Sequence, residues 1–433
     1  MRAFAVLALL HSCRGLQLFG QSPLLRKTLK GVVATIAAST VAFDGSCGSL
    51  DDVMRPPPAA AAVASMADVG VGQFLVKDGG QFLRLTIPLG KKGAFGSSKE
   101  ALDVKMAQEN LELCKLRFEQ VGFTNPQAWG AVLKDANTAS NIIKSNREYL
   151  ISGGGKSAAE SLFDDVLSPQ LDLLGEAVRA KDVSTALKAQ EAAASALADL
   201  RLQQLPAQQL PFTIPEEFAA LPRLTGRATV ELQVKAKRGG YRLEDGKTVV
   251  PQFTLLLELD GYHAPLTAGN FADLVSKGYY NGLPLQKVEQ LTVQTGKPPA
   301  SLALADGETY VDPATKKPRT VPLELFYKGD TEPSYGYTSD DDLRATETQA
   351  LPFQAYGALG MARNNEQADT GSTQFFMLKW MQALIAPGRN TLDGFYSCFG
   401  YVTKNEQLLS QVSLDDVIVS AKIVAGKQNL ILP

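Results

Sequence analysis

The sequence predicts a multidomain α+β protein, with a helical N-terminal half followed by a β-rich C-terminal half. Three observations predict it. Apolar residues recur at spacings of three and four between residues 97 and 205, as they do when helices pack along one seam. Four prolines crowd residues 206–222 and separate the halves. From Arg227 the apolar residues alternate with polar ones, the period of a half-buried strand. A chain of 433 residues has room for about two or three domains. Its 45% apolar and 20% charged residues are ordinary for a globular protein.

The first element reads as a targeting leader, residues 1–67. Residues 1–43 carry Arg2, Arg14, Arg26, Lys27 and Lys30 and no acidic residue. Ala3–Leu10 is an apolar run behind a positive start, and Gly31–Phe43 is a second. Neither reaches the roughly 20 residues a bilayer span needs. Pro56-Pro57-Pro58 and an alanine-rich stretch ending Ser65-Met66-Ala67 follow, so the mature chain is expected to begin near Asp68. Two leader segments in tandem resemble the layered targeting of a plastid protein bound for the thylakoid lumen. The alternative is one secretory signal followed by a disordered Ala/Pro segment. No transmembrane helix is expected in the mature chain.

Removing residues 1–67 takes six basic and three acidic residues from the 43 and 45, leaving a net charge of −5. With no basic stripe, this speaks against nucleic-acid binding. The two histidines are His11 and His263, too few for a His-based triad or a His-rich metal site. The four cysteines, Cys13, Cys47, Cys114 and Cys398, show no CxxC spacing and form no disulfide framework. No cofactor is expected.

Residues 68–95 read as a β-hairpin, with Asp78-Gly79 as its turn. Residues 96–206 read as an up-down four-helix bundle. The first seam is Val104, Ala107, Leu111, Cys114, Phe118 and Val121, begun by Ser97/Ser98 and stopped by Gly122 and Pro126. The second is Trp129, Val132, Ala136, Ala139, Ile143 and Leu150. The third is Phe163, Leu167, Leu171, Leu174 and Val178, with a kink expected at Pro169. The fourth, Val183–Leu205, is alanine-rich and ends at Pro206. These stripes read as core packing. Residues 207–225 read as a stiff linker or a strap across the next domain. Arg227–Lys237 and Gln252–Leu259 read as strands, and Thr267 as the cap of a helix whose Phe271, Leu274 and Val275 face inward.

Three further stretches carry a resemblance: Gly360-Met361-Ala362-Arg363, Gly371-Ser372-Thr373-Gln374-Phe375-Phe376, and Leu392-Asp393-Gly394 running into Phe399-Gly400-Tyr401-Val402. With the 264–275 helix and the Tyr279-Tyr280-Asn281-Gly282 turn upstream, they resemble the cyclophilin core across residues 226–433. That resemblance implies an antiparallel eight-stranded β-barrel capped by two helices, and prolyl cis-trans isomerisation. The chemistry is undemanding in bonds. Twisting an amide costs roughly 18–20 kcal/mol because C–N resonance is lost, and X-Pro bonds interconvert slowly. A catalyst needs an apolar slot for the ring, amide partners for the flanking peptide, and a donor near the proline nitrogen that favours the twisted state.

Active cyclophilins carry Phe-His-Arg, an apolar pair and Gln-Gly on one strand. Here the strand reads Leu285-Gln286-Lys287, Leu291-Thr292 and Val293-Gln294-Thr295-Gly296, one residue shorter. The resemblance therefore makes Lys287 and Gln294 the catalytic positions, with Lys287 where arginine is expected. Lysine lacks arginine's planar fork of donors, and Lys287 reads equally as a solvated surface charge. The proline slot would be Phe376, Leu291, Leu392 and Met361, with Ala362, Arg363 and Gln374 along the groove and Tyr396 at the rim. Phe375, alternating with Phe376, reads as barrel core.

Thr225-Gly226-Arg227-Ala228, Val311-Asp312-Pro313, Arg319–Glu324, Pro352-Phe353 and the long 300–350 insert are similar to the multidomain thylakoid-lumen cyclophilins. This narrower resemblance implies binding of proline-containing segments of lumenal or membrane-complex proteins, including photosystem II subunits, during folding, assembly or repair. Two alternatives stand beside a working but weak isomerase: a non-catalytic proline-peptide-binding assembly chaperone, and a structural photosystem subunit.

Overall fold

The computed structural model describes Val76 and residues 78–89, 98–121, 126–364, 367–379 and 392–433. The leader and the expected start near Asp68 lie outside the described residues.

The hairpin expected around Asp78-Gly79 is corrected. Asp78 accepts from the Gly80 N–H at 2.7 Å and opens a helix, α1 (Gly79–Leu85). An aspartate before glycines can start a turn or cap a helix, and tertiary contacts select the helix. Phe82 stacks on Tyr401 with ring centroids 5.7 Å apart. Arg84 reaches Glu112 at 2.6 Å and Glu191 at 2.7 Å.

The helical seams form as read, with two refinements. Helices α2 (Lys99–Val121), α3 (Pro126–Ser145), α4 (Arg147–Ile151), α5 (Lys156–Ser161), α6 (Ser168–Ala180) and α7 (Val183–Gln203) follow in order. Their apolar stripes meet in one buried cluster that includes Leu111, Cys114, Ile143, Leu171, Leu174 and Leu197. The second seam is broken at Asn146, where α3 gives way to α4. The third carries a π-helical turn, Leu162–Leu167, just before Pro169, which then sits in the opening turn of α6. Leu167 and Ser168 keep helical dihedrals, so the helix runs on through Pro169, and the widened π turn stands where the proline removes an N–H and crowds the preceding turn. Ser98 Oγ accepts from the Ala101 N–H at the start of α2.

The proline-rich segment packs on the insert: Phe212 meets Phe326 and Phe218 meets Tyr335, with centroids 6.1 and 5.1 Å apart. It leads into β1 (Arg223–Leu224), which pairs with the last strand, β10 (Leu430–Ile431). Between them lie β2 (Arg227–Lys235), β3 (Gln252–Asp260), β4 (Lys287–Val288), β5 (Thr292–Thr295), β6 (Ala358–Met361), β7 (Phe375–Leu378), β8 (Cys398–Lys404) and β9 (Val417–Ala425). These eight make one antiparallel sheet in the order β9-β2-β3-β8-β6-β7-β5-β4. The sheet curls until its edges meet: Gly282 and Leu285, ahead of β4, donate to the Ile418 and Asp416 carbonyls, both at 2.7 Å. Val230, Leu232, Leu255, Leu257 and Leu259 fill the interior together with Phe271, Leu274 and Val275 of α8 (Pro265–Ser276). A 3₁₀ helix, Glu406–Gln411, adds Leu408 and Leu409 to the same core.

Thr267 does not cap α8, which begins after Ala264. The buried Glu324 carboxylate does so, accepting from the Leu266 and Thr267 N–H groups at 3.2 and 2.9 Å. A negative group suits a helix N-terminus, where N–H groups lack partners.

Helix α1 is the wedge between bundle and sheet. Arg227 ion-pairs with Asp260 at 2.9 Å and also donates to the Leu83 carbonyl at 2.5 Å. Arg201 donates to the Arg84 and Ile87 carbonyls at and just past the same C-terminal end of α1, where carbonyls are left over. A Cβ on Gly79 would lie 2.4 Å from the Tyr401 Cβ, so only glycine permits this approach. Among the described residues no helix is long and apolar enough to cross a membrane.

Candidate active site

Strand register builds the site. Lys287 pairs with Gln294, Gln294 with Phe376, and Phe376 with Gly360. Directly opposed residues of an antiparallel sheet share a face, so these four form a row across β4, β5, β7 and β6. Their neighbours Val293, Phe375 and Met361 fall on the other face and join the interior core. This bears out Phe375 as core and corrects Met361. Met361 pairs with Phe375, so strand parity turns it into the barrel and away from the slot.

The Phe376 ring lies over Gly360, where a Cβ would come within 2.1 Å of it. Phe353 stacks on it at 5.6 Å and Tyr396 meets it edge-on at 5.4 Å. Ala362 and Leu392 pack against the same cluster. Leu291 does not join them; it is exposed, and its carbonyl accepts from the Lys379 N–H at 2.7 Å. Arg363 donates to the Phe395 carbonyl at 2.6 Å and sits 5.3 Å over the Tyr396 ring. It thereby braces the rim residue.

The two glutamines are joined. Gln294 Nε2 donates to Gln374 Oε1 at 3.1 Å, and Gln374 Nε2 donates to Glu308 Oε2 at 2.6 Å. Lys297 Nζ lies 2.5 Å from Glu308 Oε1. Sequence reasoning missed Glu308 and Lys297. The Asp306-Gly307 pair signals a turn, but nothing local says that its hairpin reaches Gln374.

Lys287 pairs with Glu289 at 3.1 Å, with about half of each side chain exposed. Such exposed pairs contribute about 0–1 kcal/mol, so the ammonium can leave Glu289 readily. Cys398, in the same cluster as Phe376, has its thiol pushed up to about 12 by burial. It stays protonated and is no nucleophile. The arrangement offers an apolar ring site, a pair of side-chain amides and one mobile cation. It can hold a proline and its flanking peptide groups without breaking a bond.

A curled eight-stranded antiparallel sheet with such a slot on its outer face defines a cyclophilin-type domain. The family of cyclophilin type peptidyl-prolyl cis-trans isomerases matches residues 250–425. The chain is 39% identical over 307 residues to a Synechocystis sp. protein provisionally named thylakoid lumen peptidyl-prolyl cis-trans isomerase sll0408, covering 70% of this chain and 75% of that one. It is 30% identical over 384 residues to Arabidopsis thaliana peptidyl-prolyl cis-trans isomerase CYP38, chloroplastic, covering 87% of this chain and 81% of that one. Arabidopsis CYP37, chloroplastic, is 35% identical over 240 residues, 55% of this chain and 47% of its own. The chain belongs to the cyclophilin-type peptidyl-prolyl cis-trans isomerase family.

Proposed function

We propose that this protein is a weak peptidyl-prolyl cis-trans isomerase of the thylakoid lumen that assists folding, assembly or repair of photosystem II. The row Lys287–Gln294–Phe376–Gly360 supports this best, because it sets a ring site, an amide and a cation side by side. Phe376, Leu392 and Tyr396 seat the proline, Ala362, Arg363 and Gln374 follow the peptide, and Leu291 stands exposed near the mouth. Gln294 binds the substrate peptide group and Lys287 supplies the charge near the proline nitrogen. The tandem leader segments and the names of the two relatives that align over most of this chain support the location.

Activity is weak because Lys287 keeps the charge of arginine and loses its fork. Removing one aimed electrostatic contact in an active site costs roughly 10²–10³ in rate, and lysine restores part of that. Lys287→Arg is expected to raise kcat/KM on a proline peptide, with little change in melting temperature. Deleting residues 68–222 separates the other cause of low activity, cover of the groove by bundle or strap. If cover dominates, the deletion raises activity and Lys287→Arg in the full chain does nothing.

The second reading is a non-catalytic assembly chaperone that holds proline segments, and the Lys287–Glu289 pair favours it. Should neither change produce isomerisation, that reading replaces the first. A structural photosystem subunit would instead co-purify with mature complexes rather than with assembly intermediates.

A further inference from the structure

Gln294 and Gln374 are both primary amides, and a primary amide can present either its oxygen or its NH₂ to a neighbour. Something must choose. In this chain the insert places a carboxylate at the end of the pair. Glu308 stands on a tight hairpin: Asp306 accepts from the Glu308 and Thr309 N–H groups at 2.9 and 3.0 Å, Gly307 has φ +68, and Ala303 bridges to Tyr310. Tyr310 is buried and packs edge-on against Tyr279, anchoring the hairpin to the barrel. Lys297 holds the other carboxylate oxygen.

We propose that Glu308 is a positioning residue that fixes the orientation of both substrate-binding amides. A carboxylate can only accept. Gln374 must therefore turn its NH₂ toward Glu308, which leaves Gln374 Oε1 to accept from Gln294 Nε2. Gln294 Oε1 is then the end turned away from Gln374, free to accept an N–H of the bound peptide. The polarity of the chain Lys297–Glu308–Gln374–Gln294 runs one way only. This inference rests on the reading of Gln294 and Gln374 as substrate-binding residues.

The test uses the full chain, an uncharged proline tetrapeptide and two variants. Glu308→Lys presents only donors, so it reverses the polarity and turns the Gln294 NH₂ outward. It is expected to raise KM about three- to tenfold, the scale of one hydrogen bond, with kcat within about twofold, since a contact made equally in ground and transition states acts on KM. Glu308→Gln permits both orientations and is expected to fall between Glu308→Lys and the parent. Melting temperatures should not move, because Glu308 is exposed. An unchanged KM in Glu308→Lys overturns the proposal while leaving isomerase function intact. If the full chain neither binds nor isomerises the peptide, the functional reading fails instead. The ¹⁵N side-chain amide spectrum then decides: unmoved Gln374 and Gln294 signals in Glu308→Lys overturn the orientation claim, and shifted signals uphold it.

Discussion

Gly360 and Phe376 show how one missing side chain makes room for an aromatic ring. The ring occupies the space a Cβ at position 360 would need. Gly360→Ala should push the ring out of place and weaken proline-peptide binding at least about tenfold, at an overpacking cost of about 1–3 kcal/mol. Peptide titration and melting together check this; unchanged affinity would contradict it. Glu324 gives a pH prediction. Burial is the largest influence and lifts its carboxyl to about 7, against the pull of the Thr267 and Leu266 N–H groups. The folded state thus holds its proton more tightly than the unfolded one. Stability is greatest below the unfolded value near 4.5 and declines as pH rises through about 7. The whole drop is at most about 3 kcal/mol. Glu324→Gln should flatten the melting temperature between pH 5 and 8, as calorimetry would show, with the amide oxygen still capping α8. Motif spacing is enough to single out Phe376, Gln374 and Gln294 as candidate site residues. The face Met361 takes is not legible in the sequence, since it depends on register with β7 and not on its own neighbours. Glu308 and Glu324 left no local trace, because each acts on a partner about 60 residues away.

At the scale of elements, period alone found the bundle. Each long helix must hide one stripe, and the stripe recurs in the sequence whatever it packs against. Helix α1 has only seven residues, too short for a period to declare itself, so its Asp-Gly pair was open to either reading. What holds α1 is tertiary. Glu112 is fully buried and takes Arg84, Gln81 and Gln108 as partners. Arg84→Ala would leave that carboxylate without its cation, at a cost of about 3–5 kcal/mol. The cost should appear as a lower melting temperature and as faster hydrogen exchange in α1 than in β2. Equal exchange in the two would show that α1 is not an independent docking element.

At the scale of the whole molecule, α1 and the strand pair β1–β10 decide how far the barrel stands alone. Phe82, Leu83 and Leu116 share a cluster with Tyr401, Phe353 and Phe376, so removing the bundle uncovers the outer apolar face of the sheet. A fragment of residues 223–433 keeps β1 and its interior core. It is expected to melt cooperatively, below the full chain, and to bind an apolar dye that the full chain excludes. A fragment that begins at residue 226 loses the partner of β10 and should melt lower still. Domain order was legible from the change of period at the proline stretch. The docking between halves was not, because it runs through backbone carbonyls such as that of Leu83, which no sequence pattern marks.

The pairing of β2 with β9 also sets a timetable. The first long strand of the barrel hydrogen-bonds along its length to residues 417–425, and β1 waits for residues 430–431. Contacts of such sequence separation form slowly. The helices, joined by short connections, can assemble as soon as they emerge, whereas the sheet stays open until the last segment, residues 417–433, is present. A chain threaded N-terminus first through a membrane would arrive with its bundle built and its barrel unfinished, so the slot around Phe376 becomes competent only after delivery is complete.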